Sequence, residues 1–128
     1  MSASDPVLVD SSGWLEFITS DTKAGPFDPY IRREGGRPII VPTIVLYEVR
    51  KILLLRKAAP VADRFVSQAL IHTVVPIDQV IALSAASISI QSGLAMADAL
   101  LYATAEKFNA ELVTSDVHFE GLPHVTLL

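Results

Sequence analysis

Four carboxylates stand where the surrounding chain is otherwise apolar: Asp10, Glu48, Asp98 and Asp116. Asp10 closes the run Val7-Leu8-Val9, and Asp116 follows Glu111-Leu112-Val113-Thr114 by two residues. Glu48 has Ile44 and Ile52 four residues to either side, with Leu55 continuing that stripe. Residues three and four apart share a helix face, so an acid there breaks the amphipathic pattern and faces the core or its rim. Asp98 has Leu101, Ala105 and Phe108 below it at helical intervals. Carboxylates brought together raise one another's pKa, and burying one without a partner is costly. A divalent cation removes both penalties. Carboxylate oxygens without a His or Cys ligand set suit Mg²⁺ or Mn²⁺ rather than zinc. Such an ion can activate water and neutralise charge developing on a phosphoryl group.

Taken singly, each acid has an ordinary reading. Asp10 suits a helix cap and Asp116 a turn. Glu48 could pair with a basic residue, Lys51 being three positions on. Asp98 could complement a helix dipole. The case for chemistry rests on the elements that bring the four to one place.

Those elements alternate. Val7–Val9 is too short for a helix and runs into Asp10-Ser11-Ser12-Gly13, a strand feeding a helix capped by Asp or Ser and ending near Thr19. A polar, Gly- and Pro-rich stretch over 20–37 predicts a loop with a short helix around Asp28 to Glu34. Pro38 to Pro42 reads as a second strand, with its prolines at the ends. Thr43 is expected to cap a helix to about Lys57, and Pro60 to open another through Leu70. Thr73-Val74-Val75 is a third strand. A helix over 78–91, with Ile77, Ile81 and Ile88 on one face, stops at Gly93. Another runs from about Ala95 to Phe108, then strands at Glu111–Thr114 and Val125–Leu127. Short apolar strands between helices predict an α/β fold whose parallel sheet is covered on both faces. Ligands in such sheets bind beyond the carboxyl ends of the strands. Asp10 and Asp116 end strands there. Asp98, in the first turn of a helix running antiparallel to the fourth strand, is returned to the same rim.

The chain has 128 residues, 51% apolar and 19% charged, with no cysteine and a net charge of −4. This length predicts one domain over 1–128. The composition excludes a disordered chain, and the lack of cysteine excludes disulfide, zinc-thiolate and iron–sulfur frameworks. A reducing cytoplasm is the expected location. The acidic balance is not that of a protein that grips nucleic acid by bulk charge, but it leaves open a nucleic acid approached through a metal. The first residues, Met1 to Pro6, lack the basic flank and apolar run of a signal peptide. Apolar stretches break before the ~20 residues that span a bilayer, so no membrane partner is expected.

At these acids the chain resembles PIN-domain ribonucleases, specifically VapC-type toxins of bacterial toxin–antitoxin pairs. The matching segments are Val7-Leu8-Val9-Asp10-Ser11-Ser12, Tyr47-Glu48-Val49, Met96-Ala97-Asp98-Ala99-Leu100 and Leu112-Val113-Thr114-Ser115-Asp116, with the closing Phe119-Glu120-Gly121-Leu122-Pro123-His124-Val125. The resemblance spans essentially the whole chain. It implies a three-layer α/β/α fold with five parallel strands in the order 3-2-1-4-5, and Mg²⁺- or Mn²⁺-dependent hydrolysis of RNA. It implies Asp10, Asp98 and Asp116 as ligands to the metal or its waters, Glu48 as ligand or base, and Ser12 and Thr114 as supporting or substrate contacts. It also implies a homodimer held inactive by an antitoxin protein.

Two other readings accommodate the same acids. A haloacid dehalogenase-like phosphatase places a second Asp two residues after its nucleophile, where this chain has Ser12. A PIN-like module without catalysis would bind RNA or protein only. The basic residues Arg32, Arg33, Arg37, Arg50, Lys51, Arg56 and Lys57 read as solvated helix faces or as guides for phosphate. His72, His118 and His124 read as structural or surface residues, His118 lying nearest the rim. Leu46, Leu53 and Leu54 fall off the Glu48 face and serve either the core or a dimer or antitoxin surface.

Overall fold

The computed structural model describes residues 5–20, 25–33 and 35–128. Its strands are the short apolar runs: β1 (Val7–Val9), β2 (Ile39–Pro42), β3 (Thr73–Val75), β4 (Glu111–Thr114) and β5 (Val125–Leu127). They form one parallel sheet in the order β3-β2-β1-β4-β5, the order implied by the resemblance. Val7 stands opposite both Ile39 and Glu111, and Thr114 opposite Leu127. Parallel neighbours require crossovers, which are supplied by α1 (Ser11–Thr19), α2 (Asp28–Ile31), α3 (Thr43–Leu55), α4 (Ala59–Ala69), α5 (Gln79–Ser92) and α6 (Met96–Lys107). Val7, Leu8, Val9, Ile39, Ile40, Val41, Leu112 and Val113 are all buried, as expected of strands covered by helices on both faces.

The helices begin and end for local reasons. Asp10 caps α1 by accepting the Gly13 N–H at 2.8 Å. Asp78 caps α5 through the Ile81 N–H, and Gly93 closes it at φ 75°, a left-handed conformation that costs glycine little. Thr43 was the expected cap of α3, but it is the helix's first residue and makes no cap bond. Pro42 precedes it at φ −64° and ψ 144°. Its ring sets the turn from strand to helix, so no capping residue intervenes. The short helix expected to reach Glu34 ends at Ile31; Glu34 itself, like Met1 to Ser4, lies outside the described residues.

The α3 register also corrects the expected stripe. Its buried face is Val45, Val49 and Leu53, one position removed from Ile44, Glu48 and Ile52. Leu55 is 72% exposed, and Leu53 belongs to the core. Glu48 is therefore half-buried at the edge of the core rather than in its stripe. In α5, Ile81 is buried and Ile88 partly so, whereas Ile77 precedes the helix and is exposed. A 3₁₀ turn at Val117–Phe119, absent from the sequence reading, follows β4. Among the described residues no single helix is long and apolar enough to cross a membrane.

Gly13 is where α1 meets the sheet most closely. A Cβ there would lie 2.6 Å from Val9 Cγ1 and 2.7 Å from the Phe27 ring. Both neighbours are buried and cannot retreat. Gly13→Ala is expected to destabilise the protein by about 1–3 kcal/mol through overpacking. Chemical denaturation of the variant against the parent protein measures this loss; equal midpoints would refute the close approach.

Candidate active site at the carboxyl edge of the sheet

β1 and β4 are adjacent at the centre of the sheet, so the residues that leave their carboxyl ends meet. Asp10 is the first of these. It is 4% exposed, and its carboxylate is held from three sides. Oδ1 accepts the Gly13 N–H, the Ser12 hydroxyl lies 2.9 and 3.0 Å from the two oxygens, and Oδ2 accepts the Thr114 hydroxyl. Burial pushes the Asp10 carboxyl above its ordinary range; the three donors oppose that, and the Asp116 charge adds to it.

Thr114 ends β4 and is fully buried. Its hydroxyl donates to Asp10 and accepts the Asp116 N–H at 2.9 Å. One side chain thus ties the first acid to the last. Asp116 in turn caps the 3₁₀ turn: its Oδ1 accepts the His118 N–H at 2.9 Å and lies 2.7 Å from His118 Nδ1.

Asp98 enters from α6, half-buried in the first turn. Burial raises its carboxyl above the ordinary range. The charges of Asp116, Glu48 and Asp10 raise it further, with His118 acting against them. All four acids named from the sequence are therefore close enough for Asp98 to feel the other three. One ligand atom each from Asp98, Asp116 and His118 lie within 4.8 Å of one another. Asp10 and Glu48 stand outside that trio. Glu48 Oε1 accepts the Ser11 hydroxyl at 2.6 Å.

Several of the basic residues are engaged elsewhere. Arg37 pairs with Glu111, Arg50 with Asp63, Arg32 with Asp28, and Lys107 with Asp78. Lys51 lies over the Tyr47 ring rather than against Glu48. Among the described residues no lysine or arginine forms an ion pair with Asp10, Glu48, Asp98 or Asp116. Beside the acids lies a cavity of about 210 Å³ lined by Ser92, Gly93, Leu94, Ala95, Asp98 and His118. A larger groove, about 720 Å³, lies along the outside of α3 between Leu46, Tyr47, Arg50, Lys51, Leu54 and Leu55. None of the four acids lines it, and its surface is mostly apolar.

Two participants were not assigned by sequence reasoning. The sequence suggests Ser11 only as a cap, yet its partner is Glu48, 37 positions away. The sequence reads His118 as structural or surface, though nearest the rim of the three histidines, and its ring lies against Asp116. The i, i+2 spacing of Asp116 and His118 around a turn is the one local signal that could have raised it.

The PIN-domain family model matches residues 7–125. Among solved structures, the chain is similar to a toxin–antitoxin complex from Klebsiella pneumoniae, at 20% identity and TM-score 0.73 over 94% of this chain and 95% of that one. It is similar to VapBC2 from Rickettsia felis bound to a DNA fragment from its promoter, at 18% identity and TM-score 0.71 over 96% and 97%. It is also similar to the Mycobacterium tuberculosis toxin VapC20, described as cleaving the sarcin–ricin loop, at 17% identity and TM-score 0.67 over 91% and 95%. No individually curated protein sequence matches.

Proposed function

The chain belongs to the PIN-domain family, and from that premise we propose that it is a divalent-metal-dependent endoribonuclease acting as the toxin of a toxin–antitoxin pair. The observation that carries this reading is the convergence at one rim of Asp98 and Asp116, with ligand atoms within 4.8 Å, where burial and then the neighbouring acids raise the Asp98 carboxyl and no lysine or arginine ion pair relieves them among the described residues. The donor set fits a hard cation, being carboxylate oxygens with supporting hydroxyls and no thiolate. Asp10, Asp98 and Asp116 would hold the ion, with Glu48 as further ligand or base. Bound Mg²⁺ or Mn²⁺ supplies an activated water and neutralises charge developing on the phosphoryl oxygens.

The chain's own groups do the positioning. Ser12, Gly13 and Thr114 fix the Asp10 carboxylate, so it need not reorganise during reaction. Thr114 sets the Asp116 backbone, and Ser11 orients Glu48. The exposed apolar residues Tyr47, Leu54 and Leu55 on α3, and Val80, Leu83 and Ile90 on α5, support protein partners: the antitoxin and a second copy of the chain. The structural neighbours that are toxin–antitoxin complexes support the first of these. The reading assigns the whole chain to one domain acting in the cytoplasm.

Cleavage of RNA by the purified protein is expected with Mg²⁺ or Mn²⁺ and is abolished by EDTA. Asp10→Asn keeps an acceptor for the Gly13 N–H, so it is expected to fold and to lose activity by at least ~10²-fold, the usual loss when one charge-stabilising group is removed. Binding of RNA without metal-dependent cleavage would identify a module without catalysis. Turnover of a phosphomonoester alone would identify a phosphatase.

A further inference from the structure

We propose that His118 is itself a ligand to the ion, placing one imidazole nitrogen among the carboxylate oxygens of Asp98 and Asp116. This rests on the metal-site reading above and names a donor which that reading does not contain.

The geometry carries it. His118 Nδ1 lies 2.7 Å from Asp116 Oδ1, and a ligand atom of Asp98 completes a trio within 4.8 Å. Two adjacent ligands on an octahedral ion with bonds of ~2.1 Å sit ~3.0 Å apart, and two opposite ones ~4.2 Å apart. The Nδ1–Oδ1 pair is thus near the separation of adjacent ligands, and the trio's 4.8 Å limit is slightly wider than that of opposite ones, so a small side-chain rotation would bring the three donors to one ion.

The ring is also delivered to this position by a fixed support. Phe119, fully buried, anchors the turn that carries His118. The Phe119 N–H donates to Asp116 O at 3.2 Å and the Glu120 N–H to Val117 O at 3.0 Å. The His118 side chain is 76% exposed, so the ring can turn toward an incoming ion without displacing packed neighbours.

A purely orienting role is already filled. Asp116 Oδ1 accepts the His118 backbone N–H, and the Asp116 backbone N–H is bonded to Thr114. The carboxylate keeps its orientation without the imidazole. The ring's distinctive contribution is a borderline-soft nitrogen, which favours transition ions over Mg²⁺.

The test is pulsed EPR of Mn²⁺ bound to the wild-type protein, alongside Mn²⁺ and Mg²⁺ titrations of wild type, His118→Ala, His118→Gln and Asp98→Asn. Modulation from a directly bound ¹⁴N is expected in the wild type and in neither His118 variant. Mn²⁺ affinity is expected to fall in both by at least the ~10–100-fold that even an outer-sphere partner contributes, and Mg²⁺ affinity by less. The EPR measurement needs no variant, so poor folding of one does not decide the outcome. Wild-type Mn²⁺ without ¹⁴N coupling, or unchanged affinity in both variants, overturns the role of His118. If Asp98→Asn still weakens binding in that case, the carboxylate site stands. If Asp98→Asn also leaves binding unchanged, the metal-site reading falls with it.

Discussion

Asp98→Asn is expected to make the metal-free protein more stable while removing at least ~10²–10³-fold of metal-dependent RNA cleavage. The two effects have one cause. Asp98 is raised first by burial and then by Asp116, Glu48 and Asp10, so its charge opposes folding when no cation is present. Asn has the same shape without that charge. Solvent screening at this half-open rim limits the gain to about 1 kcal/mol, which for a chain of this length is a rise of about 3–5 °C in Tm. The same substitution deletes a proposed ligand and weakens the site at which phosphoryl charge would be neutralised.

The pH dependence follows with a definite sign. Asp98 and Asp10 both have folded-state pKa values above their ordinary ones, so the folded state binds protons more tightly than the unfolded state. Their contribution to stability is fully present below the ordinary carboxylate range and is lost as pH rises through the raised values. Two acids act in the opposite sense. The Lys107 bond holds Asp78 low, and Glu111, despite burial, is held low by Thr126 and Arg37. The difference between wild type and Asp98→Asn isolates the site from them. Thermal scans in EDTA are expected to show the variant's advantage growing as pH rises from the carboxylate range to neutrality. Saturating Mg²⁺ or Mn²⁺ reverses the order, because the ion stabilises only the protein that binds it well. A variant less stable than wild type in EDTA at neutral pH would mean that Asp98 has a compensating partner.

Thr114→Val is expected to cost stability and metal affinity together. Valine keeps the β-branched shape that suits the end of β4, so the substitution removes little besides the hydroxyl. That hydroxyl is fully buried and has two partners, Asp10 Oδ2 and the Asp116 N–H. Asp10 Oδ2 then keeps only the Ser12 hydroxyl and the Asp116 N–H loses its acceptor; an unsatisfied polar group costs about 1–3 kcal/mol, while the acids lose the link that sets their separation. Metal affinity is expected to fall ~10–100-fold, as for loss of a group that orients ligands. Thr114→Ser, which restores the hydroxyl, is expected to recover most of the affinity. Calorimetric titration with Mn²⁺ and thermal scans of the three proteins decide this; equal affinity in Thr114→Val would show that Asp10 and Asp116 are positioned independently. Asp98→Asn and Thr114→Val thus weaken the site equally in kind but move metal-free stability in opposite directions.

Much of the architecture was determined by the amino-acid sequence alone. Runs of three or four apolar residues are too short to bury a helix face, and regular alternation with helical segments leaves a covered parallel sheet as the economical arrangement. Acids placed just past β1 and β4 must then emerge at the same edge, because parallel strands end together. Tertiary packing decided what periodicity leaves open. Thr43-Ile44-Val45-Leu46-Tyr47-Glu48-Val49 is apolar at nearly every position, so several faces of α3 were equally plausible; contact with α1 and α4 selected Val45, Val49 and Leu53 and set Glu48 at the rim. The partners of the site were decided in the same way. Ser11 meets Glu48 across 37 positions, and Thr114 meets Asp10 across 104. Sequence spacing constrains neighbours within a turn or two, whereas a hydrogen bond between distant segments depends on where the folded sheet brings their backbones.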